Sequence, residues 1–145
     1  MPLLPEGKVL SVDALAGYLG VPSAYLSKQL QKLRRAGVVM SVRGKSGGYR
    51  LARSPDDISL LDIVSAIDGA GPVFRCTEIR QNGPCALKRA DCRRPCEIAS
   101  AFASAEQVYR EALQSQSLAS IMQDAAGNAT PEHMVEIARW VQAHV

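Results

Sequence analysis

The segment between Asp13 and Asp56 contains no acidic residue, and its apolar residues follow a helical period first and a strand-like pattern later. Eight of the chain's 17 lysines and arginines fall in it: Lys28, Lys32, Arg34, Arg35, Arg43, Lys45, Arg50 and Arg53. The net charge of the chain is only +3, so its positive charge is concentrated in this segment. Such one-sided charge is typical of a nucleic-acid-binding surface. A merely solvated charged face, the alternative, would normally intersperse acidic residues.

The first half of this segment predicts two short helices joined by a tight turn. Ser11 can cap the first helix, whose apolar residues recur at helical spacing, and Gly20 ends it. Pro22 suits the first position of the second helix, which Gly37 stops. Basic residues occupy the outer face of this second helix, opposite an apolar face of Leu26, Leu30 and Leu33. The pattern predicts a helix-turn-helix that places its second helix in the major groove of DNA.

The second half predicts a β-hairpin. Residues 38–42 and 49–51 have strand composition, and the glycine-rich string 43–48 suits a hairpin tip. This hairpin would form a wing from which Arg43 could enter the minor groove. Gly44-Lys45-Ser46 resembles the end of a phosphate-binding P-loop, but that motif needs a glycine where the chain has Val39. We therefore predict no nucleotide binding.

All four cysteines lie in one predicted loop, which follows a predicted helix over residues 60–68 capped by Ser59 and Asp62. They are Cys76, Cys85, Cys92 and Cys96. Thiolates are the preferred ligands of iron–sulfur clusters and zinc, and neighbouring basic residues would favour the thiolate form. The loop contains no CxxC, so neither a zinc knuckle nor a thioredoxin-type motif is indicated. Three hypotheses remain: an iron–sulfur cluster, a metal-free thiol switch, and an inert or zinc-stabilised loop.

The sequence does not predict an enzyme or a membrane protein. No histidine stands near the cysteines to act as a base, since His133 and His144 both lie in the C-terminal tail. We find no secretory signal and no apolar run long enough to cross a bilayer. We therefore expect a cytoplasmic protein without catalytic residues, in which the cysteines stay reduced.

A long helix is predicted from Pro95 onwards. Its apolar residues recur at steps of three and four, at Ile98, Phe102, Ala105, Tyr109, Ala112 and Leu113. A second copy of the chain could pack on this face, whereas the alternative is packing on its own domain only. A two-fold homodimer would set two recognition helices about one DNA turn apart and would read a palindromic operator in double-stranded DNA. Thr130 and Pro131 then begin a helical tail, to which we assign no chemistry.

Four short strings give the sequence a specific resemblance to known proteins. They are Tyr25-Leu26, Leu33-Arg34-Arg35-Ala36-Gly37, Ser41-Val42-Arg43-Gly44 and Gly47-Gly48-Tyr49-Arg50-Leu51. Through them, residues 11–52 resemble the Rrf-two (Rrf2) family of bacterial winged-helix transcription factors, which includes the IscR, NsrR and CymR types. The resemblance extends over residues 8–122. It implies a homodimer, and many members of the family sense iron–sulfur status, nitric oxide or redox state through cysteines.

The resemblance implies base contacts near Ala24, Ser27 and Lys28 and a minor-groove contact at Arg43. Together with the charge pattern it predicts a DNA-binding set of Ser23, Ala24, Tyr25, Ser27, Lys28, Lys32, Arg35, Arg43, Lys45, Tyr49 and Arg50. Tyr25 could equally be a packing residue. The resemblance also assigns the dimer seam to the long helix after Pro95.

For the loop, the resemblance implies a cluster held by three cysteines, with Cys76 first, Cys96 last, and Cys85 or Cys92 between them. Some relatives add a histidine where this chain has Ala99, so the extra cysteine could take the fourth place. The predicted metal ligands are therefore Cys76, Cys85, Cys92 and Cys96, with an iron–sulfur cluster as the expected cofactor and zinc or none as the alternatives.

The predicted fold is mainly α with a small β-hairpin, as a winged helix-turn-helix plus a long dimerisation helix. We predict a DNA-binding domain over 1–70, a sensor loop over 71–96, a dimerisation helix with a short following helix over 97–127, and a helical tail over 128–145. Relatives have a full helix before the equivalent of Ser11, where this chain has ten residues including Pro2 and Pro5. Either the start is misassigned, or the dimer and the sensor are altered.

The predicted function is a homodimeric, sequence-specific DNA-binding regulator of transcription that responds to redox, nitric oxide or iron–sulfur status. A metal-free thiol-switch regulator is the alternative within the same class. The alternative from another class is an iron–sulfur or thiol enzyme, or an assembly factor, with an incidental wing.

Overall fold

The computed structural model describes residues 4, 8–44 and 47–145. This part of the chain contains six α-helices and one antiparallel pair of strands, in the order α1 (Val12–Leu19), α2 (Ser23–Arg35), β1 (Val39–Val42), β2 (Gly48–Leu51), α3 (Leu60–Asp68), α4 (Glu97–Gln114), α5 (Leu118–Asn128) and α6 (Pro131–His144). Short 3-10 helices span Pro55–Asp57, Ile79–Gln81 and Arg89–Asp91. The predicted class, mainly α with a small β-hairpin, is confirmed.

The chain divides into two compact units, Met1–Gly69 with Gln114–Val145, and Ala70–Leu113. The first contains α1, α2, the hairpin, α3, α5 and α6, and the second contains the cysteine loop and α4. The four-part division by residue number stays a prediction. Among the described helices, none is both long and apolar enough to cross a bilayer. Most of the ten residues before Ser11, where relatives have a full helix, lie outside the described part of the chain.

Local capping chemistry explains the helix-turn-helix. The Ser11 side chain accepts a hydrogen bond from the Ala14 N–H at 3.1 Å and so caps α1. Gly20 ends α1 in the left-handed region at φ 65°, which a glycine adopts without steric cost. Pro22 is the residue just before α2 and not its first residue. Its backbone is extended rather than helical, and it contributes to the helix through its carbonyl, which accepts the N–H of Leu26 at 3.1 Å.

The hairpin pairs β1 with β2 in the register Val39 to Leu51 through Val42 to Gly48. The strand β2 has a second neighbour, because the backbone of Leu10 pairs with Tyr49 through N–O distances of 3.2 and 2.9 Å. This contact requires the glycine at position 48, since a Cβ atom there would overlap the Leu10 carbonyl oxygen. The wing is therefore joined to the segment that precedes α1.

The core of the first unit includes Leu10, Ala16, Leu30, Val38, Ile58 and Val141, and Ile58 has no exposed surface. The backbone around Ile58 pairs with the segment before α5, where the Leu118 N–H donates to the Ile58 carbonyl at 2.7 Å. The Thr130 side chain accepts the N–H of His133 and so caps α6, at the helix start that the sequence predicts. The helix α6 then packs on α1 through the rings of Trp140 and Tyr18. The C-terminal tail is thus part of the first unit, together with the helix-turn-helix and the wing.

Candidate nucleic-acid interface and cysteine loop

The helix α2 exposes the residues predicted to read DNA. Ala24, Tyr25 and Lys28 are exposed near its start, with Tyr25 at 56%, while Ser23 and Ser27 are half-buried. The opposite face buries Leu30 in the core. Tyr25 therefore does not pack in the core of the chain, and its contact with DNA stays a prediction.

Two cations of the basic segment form internal contacts. The Lys32 ammonium donates to the Ile67 carbonyl at 2.8 Å, in the last turn of α3. Arg53 donates to the Gly37 and Asp57 carbonyls at 3.2 and 2.9 Å and pairs with Asp62 at 3.4 Å. Cations near carbonyl groups at helix C-termini are stabilising. The sequence predicts a DNA contact for Lys32 and only surface charge for Arg53, whereas in this structure both side chains connect α2, the wing base and α3.

The wing keeps two cations free of such contacts within the described residues. Arg43 follows β1 and is exposed, and Arg50 is exposed on β2. Lys45, the remaining predicted wing contact, lies outside the described residues. Tyr49 is half-buried and, with Leu10 and other apolar residues, lines a cavity of about 220 Å³. Tyr49 therefore has a packing role that sequence reasoning did not anticipate.

The exposed cations on the outer face of α2 and on the wing define one candidate nucleic-acid interface: Lys28, Arg35, Arg43 and Arg50. All four belong to the segment between Asp13 and Asp56, which has no acidic residue. A helix of this kind fits the major groove, and a long cation on a wing suits the narrower minor groove. The arrangement can therefore bind the phosphates and the base edges of a duplex.

In the second unit, the structure brings together the first and last cysteines. The Cys76 and Cys96 Sγ atoms lie 3.6 Å apart. Cys76 is exposed, whereas Cys96 is 5% exposed and directly precedes α4. Each sulfur accepts a backbone N–H at 3.3 Å, from Glu78 and Ala99 respectively. The site thus consists of two adjacent sulfur atoms, each facing an N–H dipole.

The Arg80 side chain connects the two arms of this loop, the segment that follows Cys76 and the segment that precedes Cys96. Arg80 donates to both carboxylate oxygens of Glu78, at 2.6 and 2.9 Å, and its Nη2 also donates to the Arg94 carbonyl at 2.8 Å. This shared hydrogen bonding lowers the pKa of Glu78 and raises the pKa of Arg80. Because Glu78 follows Cys76 and Arg94 precedes Cys96, the contacts hold the backbone on both sides of the sulfur pair. We call these contacts of Arg80 with Glu78 and Arg94 the clamp. Sequence reasoning missed it, because the opposite charges at positions 78 and 80 were the only signal.

The other two cysteines are apart from this pair. Cys85 is exposed and Cys92 is half-buried. In the described part of the chain, no group of three or more Cys, His, Asp or Glu side chains is arranged to hold a metal ion. Two thiolates on one tetrahedral metal ion lie about 3.8 Å apart, given metal–sulfur bonds of about 2.3 Å. Cys76 and Cys96 fit such a pair of ligands, and a further ligand from Cys85 or Cys92 requires the loop to move.

The helix α4 exposes an apolar face in the single chain. Ile98, Phe102 and Tyr109 are each 50% exposed. Phe74 stacks on Phe102 with centroids 4.4 Å apart and ring planes at 10°, which extends this face by one ring from the loop. The Glu106 carboxylate accepts the Val73 N–H at 3.2 Å and so holds the start of the loop on α4. An exposed aromatic face of this kind is typical of a protein–protein contact.

Comparisons with known proteins agree with this architecture. A family model named Rrf2 and described as iron-dependent transcriptional regulator matches residues 1–124. A protein of Rhodobacter capsulatus named as an rrf2-like HTH-type transcriptional regulator is 35% identical over 123 residues, covering 83% of this chain and 78% of its own. The HTH-type regulator IscR of Aliivibrio salmonicida is 44% identical over 71 residues, covering 49% of this chain and 42% of its own.

Solved structures share the fold. IscR of T. potens superposes with a TM-score of 0.63 at 29% identity, covering 88% of this chain and 80% of its own. CymR, the global cysteine regulator of B. subtilis, superposes with a TM-score of 0.60 at 23% identity, covering 80% of this chain and 79% of its own. The resemblance drawn from the wing strings is thereby confirmed. The chain belongs to the Rrf2 family of winged-helix transcriptional regulators.

Proposed function

We propose that this protein is a homodimeric regulator that binds a palindromic DNA operator through α2 and the wing, and that its cysteine loop adjusts this binding to iron–sulfur, nitric oxide or redox status. The exposed, acid-free set of cations on a helix-turn-helix and wing is the observation that carries the DNA-binding part. The adjacent sulfur atoms of Cys76 and Cys96 support the sensor part. The family description, which names iron-dependent regulation, supports it as well.

Selection from a randomised duplex library tests the DNA-binding part. A two-fold dimer is expected to enrich an inverted repeat with half-sites about one helical turn apart. Arg43→Ala should weaken binding to the selected site and reduce the slope of log K against log salt by about one. Arg139→Ala removes one exposed positive charge from α6 and is the matched control. Equal affinities and salt slopes for both variants would reject the role of Arg43.

Sedimentation equilibrium tests the homodimer. Phe102→Asp places a charge in the exposed aromatic face of α4 and should shift the protein from dimer to monomer. Val135→Asp is the matched control, because Val135 is also exposed, at 48%, but lies on α6. A Phe102→Asp variant that is folded and still dimeric would remove this face from the proposed interface.

The sensor is tested by a visible spectrum with iron, sulfide and zinc analysis on protein purified without oxygen. Cys76 and Cys96 would hold a cluster together with Cys85 or Cys92, and the cluster would supply a group that exchanges electrons and reacts with nitric oxide. Cys96→Ser should abolish the chromophore and the bound sulfide. Comparison of Cys85→Ser with Cys92→Ser identifies the middle ligand. A colourless, metal-free protein whose operator binding changes on oxidation would favour the thiol switch instead.

The alternative from another class is an iron–sulfur or thiol enzyme, or an assembly factor, with an incidental wing. Membership of a family of transcriptional regulators argues against it. Sequence-specific binding that falls steeply with salt would exclude the incidental wing. A protein that enriches no sequence from the library would restore this alternative.

A further inference from the structure

We propose that Cys76 and Cys96 are a peroxide-reactive dithiol, in which a hydroperoxide oxidises Cys76 and Cys96 then closes a reversible disulfide with it. The inference rests on the proposed sensor role of the loop and names the reacting pair, the order of reaction and the class of oxidant. It concerns the chain when no metal is bound.

The distance between the sulfur atoms supports this pairing. The Sγ atoms are 3.6 Å apart, and a disulfide bond is about 2.05 Å long, so the two atoms need to approach by about 1.5 Å. Among the described residues, this is the sulfur pair in direct contact. The Arg80 contacts with Glu78 and Arg94 hold both arms of the loop in place. Disulfide closure therefore needs a small local movement.

The exposure of the two cysteines sets the order of reaction. Cys76 is exposed and can meet an oxidant in solvent, whereas Cys96 is only 5% exposed. Redox-sensing cysteines are typically accessible and adjacent to a second cysteine that resolves the oxidised form. Cys76 is thus the first cysteine to react and Cys96 is the resolving one.

The chemistry balances in two steps. The Cys76 thiolate attacks one oxygen of the hydroperoxide, the O–O bond breaks, and the products are a sulfenic acid and an alkoxide, or hydroxide when the oxidant is hydrogen peroxide. The alkoxide or hydroxide then takes up a proton from water. The Cys96 thiolate attacks the Cys76 sulfur, the S–O bond breaks, and the hydroxide that leaves accepts the proton given up by Cys96 and becomes water. The two sulfurs lose two electrons in total and the peroxide gains them.

The disulfide and a metal compete for the same atoms. A metal ion or a cluster needs both sulfurs as thiolates, and a disulfide has none. Bound metal should therefore protect Cys76 from oxidation, and oxidation should prevent the loop from taking up metal. This competition gives one pair of residues two mutually exclusive states.

The experiment uses the full chain, stripped of metal with a chelator and treated with one equivalent of hydrogen peroxide. Free thiols are alkylated before trypsin digestion without reductant. Cleavage after Arg75, Arg80, Lys88, Arg89 and Arg93 leaves the four cysteines in four different peptides, so every linkage is distinguishable by mass. The expected product joins peptide 76–80 to peptide 94–110. Dithiothreitol should separate them.

Variants test the order of reaction. Cys96→Ser should accumulate a sulfenic acid on Cys76, detected as a dimedone adduct, whereas Cys76→Ser should leave Cys96 reduced at the same peroxide dose. Cys85→Ser and Cys92→Ser should form the 76–96 linkage in the same yield as the unaltered chain. A linkage to Cys85 or Cys92, a linkage between two chains, or equal oxidation of Cys96 in Cys76→Ser would overturn the proposal.

Operator binding measured on the same samples separates this inference from the proposed function. If the 76–96 linkage forms while the affinity for the selected operator stays the same, the reactive pair is confirmed and its regulatory role is rejected. If operator affinity responds to bound iron while peroxide forms no such linkage, the dithiol is rejected and the proposed sensor function stands.

Discussion

The Trp140 ring lies 4.7 Å from the Tyr18 ring between centroids, and this contact joins the last helix of the chain to the first helix of the helix-turn-helix. Trp140 also stacks on His144 at 4.2 Å, and the His144 Nδ1 atom lies 2.7 Å from the Trp140 carbonyl oxygen. Next to it, Val141 is 5% exposed. The tail therefore contributes to the stability of the unit that carries the candidate nucleic-acid interface.

Trp140→Ala should destabilise the protein by about 1–3 kcal/mol, because it removes a half-buried ring and its contacts with the rings of Tyr18 and His144. Urea unfolding followed by circular dichroism measures this change. Val135→Ala, at an exposed position of the same helix, should alter the free energy of unfolding by less than about 0.5 kcal/mol. Equal effects of the two substitutions would mean that α6 does not depend on the contact with Tyr18.

The pH dependence of stability should report the capping box of α3. The Ser59 N–H donates to the Asp62 carboxylate at 3.0 Å, and this hydrogen bond is the main reason why the pKa of Asp62 is lowered. The carboxylate therefore stabilises the fold above the ordinary aspartate pKa, and this contribution is lost as the pH falls through the lowered value. Asp62→Asn should be less stable at neutral pH and should lose less stability on acidification.

Urea midpoints from neutral to strongly acid pH measure this effect. Asp124→Asn, at an exposed position of α5, is the control and should keep the pH profile of the unaltered protein. A profile of Asp62→Asn that runs parallel to the unaltered one would contradict the role of the carboxylate.

Gly48→Ala should damage the wing, because the added Cβ atom would overlap the Leu10 carbonyl. We expect a loss of about 1–3 kcal/mol of stability, as for other overpacked sites, together with weaker operator binding. Gly17→Ala is the matched control, since Gly17 is exposed within α1 and a Cβ atom there meets nothing within 4 Å. That variant should gain up to about 1 kcal/mol from helix propensity. Unfolding and operator titrations on both variants decide the prediction.

Arg80→Ala should loosen the sulfur pair, because it removes the bonds from Arg80 to Glu78 and to the Arg94 carbonyl. Groups that hydrogen-bond directly to a metal ligand change metal affinity by about 10-fold to 100-fold when substituted. Arg80 acts through the backbone beside each sulfur, so we expect an effect at the lower end of this range. We expect lower iron or zinc retention and a lower yield of the 76–96 linkage. Arg89→Ala, an exposed position in the same loop, should change neither. If Arg80→Ala retains as much iron or zinc as the unaltered protein, the contacts of Arg80 do not position the sulfur pair.

Features that depend on neighbouring residues could be predicted from the sequence. The caps at Ser11 and Ser59, the stop at Gly20 and the helix start at Thr130 are confirmed, because each depends on contacts within one helical turn. Helix α3 occupies the predicted residues 60–68. The predicted start of α2 at Pro22 is wrong by one residue. The N-cap and the first helical position both tolerate a residue without an N–H, so the sequence does not distinguish them.

Features that depend on distant residues could not be predicted. The partner of Lys32 is a carbonyl 35 positions later, and the partner of Trp140 lies in the first helix. No local pattern encodes such pairs. In the loop, the first and last cysteines were singled out by resemblance alone, and their contact depends on a backbone fold that spacing does not specify.

The backbone pairing of Leu10 with Tyr49 also bears on aggregation. A free strand edge is a template on which another chain can add a strand. In the described part of the hairpin, Leu10 pairs with the outer edge of β2 at Tyr49. The outer edge of β1 therefore has the longer run of unpaired backbone groups in this part of the chain. Met40 and Val42 are exposed on β1, at 38% and 40%. A substitution that detaches Leu10 from Tyr49 would expose the outer edge of β2 as a second unpaired strand edge. We expect such a variant to aggregate in addition to binding the operator more weakly.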